Sequence, residues 1–116
     1  FERVYFDFDD TLTVRGKVNL KAVWFLYQCQ NQNKDVVLLT KHEKEIMNSM
    51  EQYHIHKSLF SRIVHIKPED KKSNYVNPKN AIFIDNSYQE RCDVYSKYHI
   101  PVFDVDGIEI LMDWRN

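Results

Sequence analysis

Glycine and proline are nearly missing from this chain, at 2 and 3 residues in 116. So few turn-formers leave lean loops, and no linker, internal repeat or low-complexity tract divides the sequence. An excess of one charge is missing too. Lys+Arg is 16 against Asp+Glu 17, a formal net charge of -1, so no global field draws the chain to nucleic acid or to an anionic membrane. No apolar run approaches the length of a membrane span, and there is no signal-peptide pattern. Cysteine is limited to Cys29 and Cys92, each in a helical pattern and neither in a CxxC pair. They read as two small buried hydrophobes of a reduced, cytoplasmic protein.

What is present is a core. Hydrophobic residues make up 43% and aromatic residues 14%, enough for one packed domain rather than a disordered chain. The chain opens on Phe1, not Met, and strand-like residues follow at once. A single domain spanning 1–116, excised from a longer chain, is expected.

The apolar pattern alternates. "ERVYFDF", "KDVVLLT", "SRIVHI", "NAIFID" and "IPVFDV" read as strands. "NLKAVWFLYQCQNQ", with Asn19 as N-cap, "KHEKEIMNSMEQY", "SYQERCDVYSKY" and "DGIEILMDW" read as helices, and Pro68 with "KKSNYV" marks a further helix start. Five strands, each followed by a helix, imply an α/β fold with a five-stranded parallel sheet in a Rossmann-like three-layer sandwich.

In such a sheet ligands bind beyond the carboxyl ends of the strands. The first strand runs into "DFDDT", Asp7 to Thr11; the second ends in Thr40 and Lys41. Lys67, Lys71 and Lys72 follow the third, and the fourth ends in Asp85 and Asn86. Carboxylates, hydroxyls, ammonium groups and an amide thus fall on one rim. Three carboxylates crowded at a strand end repel one another unless something positive sits among them.

These residues, in this order, resemble the haloacid dehalogenase (HAD) superfamily of phosphotransferases, and the match covers nearly the whole chain. The DxDxT motif appears as "VYFDFDDTL", the strand ending in Thr or Ser as "VVLLT", and the fourth motif as "IFIDNS". The resemblance implies strand order 5-4-1-2-3 and a Mg²⁺-dependent phosphomonoester hydrolase. Asp7 would be the nucleophile that forms an aspartyl-phosphate, and Asp9 the acid and base for the leaving oxygen and for water. Thr40 would donate to a phosphoryl oxygen, and a Lys would neutralise another. Lys72 ranks first for that Lys, then Lys71, with Lys67 also open. Mg²⁺ would be held by the Asp7 carboxylate, the Asp9 backbone carbonyl and the Asp85/Asn86 pair, with Asn86 touching the metal and Asp85 holding the Lys or a metal-bound water. Thr11, Lys41, Lys71 and Arg15 would contact substrate. Asp10 stands where many members have Gly and reads as a loop-facing residue. His42 follows the second motif and is considered for the lining of the site, behind these residues.

The cap that members often insert is missing. The first gap holds only "TVRGKV", read as a loop, so the site should be open. An open site suits a phosphorylated small molecule or a phosphoprotein, or a lid from a covering domain or subunit. Two other readings stay open. "IDNSYQER" is similar to the FkbH-like branch, which handles glyceryl groups on carrier proteins. The ending "PVFDVDGIEIL" is similar to that of small domains fused to ATP-grasp enzymes, which suits a non-catalytic or regulatory module of a larger biosynthetic enzyme. The pair His54 and His56 reads as a helix-end cap or a solvated pair, not as a metal site.

Overall fold

The computed structural model describes residues 1–113. Trp114, the end of the expected last helix, lies outside the described residues. The first strand, β1 (Arg3–Phe6), is apolar and buried along most of its length, as a strand covered on both faces must be. It pairs in parallel with β4 (Asp35–Thr40) on one side and β6 (Ala81–Ile84) on the other. Outside these lie β5 (Arg62–His65), next to β4, and β7 (Val102–Phe103), next to β6. The chain is an α/β fold with a five-stranded parallel sheet.

In chain numbering the order is β5-β4-β1-β6-β7, which differs from the expected 5-4-1-2-3. The expectation counted five strands and read residues 13–18 as a loop. They form instead a hairpin of β2 (Thr13–Val14) and β3 (Lys17–Val18), a separate two-stranded sheet that takes two numbers. Its turn residues, Arg15 and Gly16, have φ of 54° and 74°. Two positive φ values are what a tight two-residue hairpin with right-handed strand twist requires.

Alternation along the strands separates two apolar clusters. Val4, Phe6, Leu38 and Ile84 belong to one, with Phe25 and Leu26 of α1 (Leu20–Asn31), Met50 of α2 (Ile46–Gln52) and Ile108 of α4 (Ile108–Leu111). Tyr5, Val37, Leu39 and Phe83 belong to the other, with Val94 of α3 (Tyr88–Tyr98). Asn19 caps α1 as expected, its side chain accepting from the Ala22 N–H at 3.4 Å.

Two helices differ from expectation. The one read over 41–53 begins only at Ile46, because the Glu45 carboxylate accepts from the N–H groups of Met47 and Asn48 and so caps the helix there. No α-helix lies between β5 and β6. A single 3₁₀ turn, Lys72–Tyr75, stands in its place. Val76 is already extended, and Pro78 disfavours a helical Asn77, so the turn cannot propagate. The two cysteines are free, Cys29 buried and Cys92 half-buried. Burial pushes the Cys29 thiol up to about 12, against a weaker opposite pull from Lys34. No helix among the described residues is long and apolar enough to cross a membrane.

Candidate active site

The chain changes direction across the sheet at β1, whose neighbours β4 and β6 come from opposite halves of the sequence. The ends of these three strands carry the expected residues. Asp7 follows Phe6, and its N–H donates to the Ile84 carbonyl at 3.1 Å, so its position is fixed by the β1–β6 ladder. Asp85 is tied in the same way to the Phe103 carbonyl at 3.0 Å. Lys72 enters from the 3₁₀ turn after β5. Its ammonium donates to Asp7 Oδ1 at 2.7 Å and to Asp85 Oδ2 at 2.6 Å. The side chains of Lys72, Asp7 and Asp85 are only 4%, 8% and 2% exposed. Lys67 and Lys71 are exposed and make no such contact, so Lys72 alone of the three joins these carboxylates.

The electrostatics follow from burial. Desolvation raises the Asp7 carboxyl to about 7; Lys72 opposes that rise, and the nearby Asp85 charge adds to it. For Lys72, burial works downward, but the two carboxylates outweigh it and hold the ammonium above its ordinary value. The cluster is therefore one ammonium between two carboxyl groups, with little solvent to relax them.

Asn86 closes the other side of Asp7. One terminal atom of its side-chain amide lies 2.9 Å from Asp7 Oδ2 and 3.2 Å from the backbone carbonyl oxygen of Asp9. With nitrogen at that point the amide donates to both. Turned over, it brings a third oxygen there, and oxygens on adjacent corners of a Mg²⁺ octahedron are about 3 Å apart. One carboxylate, one backbone carbonyl and one amide oxygen are hard ligands, so the residues fit Mg²⁺. Among the described residues no group of three or more His, Cys, Asp or Glu could hold a metal; this set uses a single carboxylate. Asp85 does not face that point: its Oδ2 holds Lys72 and its Oδ1 accepts from the Ser87 N–H at 2.9 Å.

The remaining expected residues divide. Thr11 is fully buried, and its hydroxyl donates to Asp7 Oδ2 at 3.2 Å, so it orients Asp7 and presents nothing to the rim. Thr40 is fully buried at the end of β4, where its Oγ1 accepts from the His42 N–H at 3.0 Å and keeps its own proton to donate. Lys41 pairs with Glu90 at 3.1 Å. Arg15 stands exposed at the hairpin tip. Asp10 is exposed with φ 57°, the left-handed conformation in which Gly is usual and Asp tolerated.

Two residues exceed what the sequence reading gave them. Glu90 is buried; besides Lys41 it accepts from the Lys72 N–H at 3.3 Å, bracketing the loop after β4 to the turn that carries Lys72. His42 meets Asp9, with Nδ1 at 2.9 Å from each carboxylate oxygen. Glu90 follows one helical turn after the fourth motif, where the sequence suggests a reach to the metal shell through water, but it holds Lys41 and the Lys72 N–H instead; the His42–Asp9 contact has no local signal, because it closes across 33 positions. Arg91 donates to the Asp85 carbonyl at 2.8 Å, pinning the backbone of the fourth motif. Away from these residues, a groove of about 520 Å³ lies between α2 and the His54–Lys57 turn. There His56 accepts from the Ser58 N–H at 3.1 Å, the end-cap reading for that pair.

No family model matches the chain, and no curated protein matches it. Among solved structures it is similar to an uncharacterized protein from Corynebacterium glutamicum ATCC 13032 Kitasato. The sequence identity is 6%, the match covers 87% of this chain and 82% of that one, and the TM-score is 0.66. The likeness is one of fold.

Proposed function

We propose that this protein is a Mg²⁺-dependent phosphomonoester hydrolase of the HAD type, working through an aspartyl-phosphate on Asp7. The observation that carries the reading is the double setting of Asp7. Lys72 holds one oxygen, while the Asn86 amide lies against the other and against the Asp9 carbonyl. A structural carboxylate has no use for both. The apolar clusters on alternate faces of the strands support a Rossmann-like three-layer sandwich, and the order of motifs supports the family.

In the first half-reaction an Asp7 oxygen bonds to phosphorus in line with the ester oxygen, and the P–O ester bond breaks. The carboxyl of Asp9 gives its proton to the departing oxygen. Lys72 and the Thr40 hydroxyl face the negative charge of the phosphoryl oxygens. In the second half Asp9, now a carboxylate, takes a proton from water; the water oxygen bonds to phosphorus and the Asp7–phosphorus bond breaks. Inorganic phosphate leaves, and both aspartates return to their starting states. Bound Mg²⁺ supplies positive charge that offsets Asp7 and the phosphoryl group.

The rim carries a short hairpin where a cap would stand, which suits a phosphorylated small molecule or a phosphoprotein, with a covering domain or subunit as lid. We place the activity in the cytoplasm. The test is hydrolysis of an aryl phosphate with Mg²⁺, with EDTA, and by Asp7→Asn. Mg²⁺-dependent turnover lost in the variant supports the reading. A folded protein that binds Mg²⁺ and turns nothing over favours a non-catalytic module, and group transfer from a carrier protein without ester hydrolysis favours the FkbH-like alternative.

A further inference from the structure

We propose that His42 positions Asp9 for proton transfer, with Ser49 as the anchor that fixes the imidazole. The proposal rests on the phosphatase reading and names a residue outside its motifs.

Asp9 lies three residues beyond the end of β1 with its side chain 53% exposed, whereas that of His42 is 13% exposed. A half-exposed carboxylate on a turn has no reason to hold one direction unless something holds it. Here the holder is rigid. The His42 N–H donates to Thr40 Oγ1 at 3.0 Å, and its carbonyl accepts from His65 Nε2 at 2.6 Å, so the backbone is fixed on both sides. The ring stands edge-on to buried Phe8, with centroids 5.0 Å apart. Nε2 lies 2.7 Å from Ser49 Oγ. Nδ1 then faces both oxygens of Asp9 at 2.9 Å.

The proton positions follow from the partners. A carboxyl oxygen can accept both before and after Asp9 gives up its proton, so Nδ1 carries the hydrogen and Nε2 accepts from the Ser49 hydroxyl. The carboxylate–imidazole–hydroxyl order is that of a serine hydrolase triad. Ser49, however, is 7% exposed within α2. Its hydroxyl is engaged with the imidazole Nε2, and its part is to hold the ring.

The consequence is specific. In the step that breaks the ester, a proton moves from the Asp9 carboxyl to the departing oxygen, and negative charge appears on Asp9. The Nδ1–H already faces the place where that charge appears, and a hydrogen bond to a carboxylate is stronger than one to a neutral carboxyl. The help scales with how much the leaving oxygen needs a proton. A phenolate needs one; a p-nitrophenolate, itself a stable anion, needs little.

The experiment compares phenyl phosphate with p-nitrophenyl phosphate. His42→Phe keeps a ring against Phe8 and removes Nδ1–H. It is expected to lower kcat for phenyl phosphate about 10- to 100-fold and for p-nitrophenyl phosphate by a few-fold at most, with KM unchanged. His42→Asn, which restores a donor near the Nδ1 position, recovers most of the loss; Ser49→Ala shows the same leaving-group signature in weaker form. In an Asp9→Asn background His42→Phe adds nothing. Equal loss on both esters, a change in KM alone, or a loss that persists in that background overturns the proposal while leaving the phosphatase reading intact. Wild-type protein inert to both esters overturns the reading, and the proposal with it. Imidazole nitrogen NMR reads the pairing without turnover: the Nδ1–H tautomer of His42 supports it, and the Nε2–H tautomer overturns it.

Discussion

Two aspartates two residues apart sit in opposite surroundings. Asp7 is buried with Lys72, Asp85 and Thr11, every oxygen spoken for before any substrate arrives. Asp9 stands half in solvent, steered by a single imidazole. On the proposed mechanism Asp7 must attack along one line, so burial and ion pairing that remove its freedom would serve it, at the expense of crowding two carboxylates around one ammonium. In the same proposal Asp9 serves both a leaving oxygen and a water, which needs the access that its half-exposed place provides.

The comparison can be broken from either end. The largest effect is expected from Asp7→Asn, which should bring aryl phosphate turnover to background while the far-ultraviolet dichroism of the fold is kept. Lys72→Ala comes next. It leaves Asp7 and Asp85 buried without their cation, and breaking such a pair destabilises by about 3–5 kcal/mol; urea unfolding should show the loss, smaller at low pH where the carboxylates take up protons. A subtler effect belongs to pH. The folded Asp7 carboxyl is raised to about 7 from 3.8. Its contribution to stability is full below the lower value and lost as pH rises through the upper. In EDTA the melting temperature should therefore fall between pH 5 and pH 8, Asp7→Asn should flatten that slope, and Mg²⁺ should restore stability at the alkaline end. The smallest effect is expected at the opposite end of the strands. Arg3 pairs there with Asp35 at 3.0 Å with both side chains partly in solvent, and Arg3→Ala should cost under about 1 kcal/mol by the same unfolding measurement.

Strands β1, β4 and β6 were legible because central parallel strands are continuous apolar runs, and "VYF", "VVLL" and "AIFI" have no other reading of that length. The rim was legible because Asp7, Thr40 and Asp85 directly follow or end those runs. What escaped depends on contacts between distant segments or on backbone conformation. The 3₁₀ turn at Lys72 resembled a helix start, since "KKSN" permits both and Pro78 decides only from beyond it. Thr11 looked like a substrate contact because its spacing says nothing about which way a turn faces; it faces Asp7. His42 fell inside a segment read as helix, and its meeting with Asp9 bridges 33 positions. The hairpin did leave a signal, a Gly after Arg15 flanked by β-branched residues, too short to outweigh a loop reading.

That hairpin has a consequence for how the domain can be enlarged. Its tip is exposed, and a side chain added at Gly16 would meet nothing within 4 Å. Its ladder is separate from the main sheet, so no core strand depends on the spacing between Val14 and Lys17. Doubling the length of a flexible loop costs only about 0.6 kcal/mol in closure entropy. The tip is therefore a splice point, where new chain could be grown to cover the rim while the sheet beneath keeps its register.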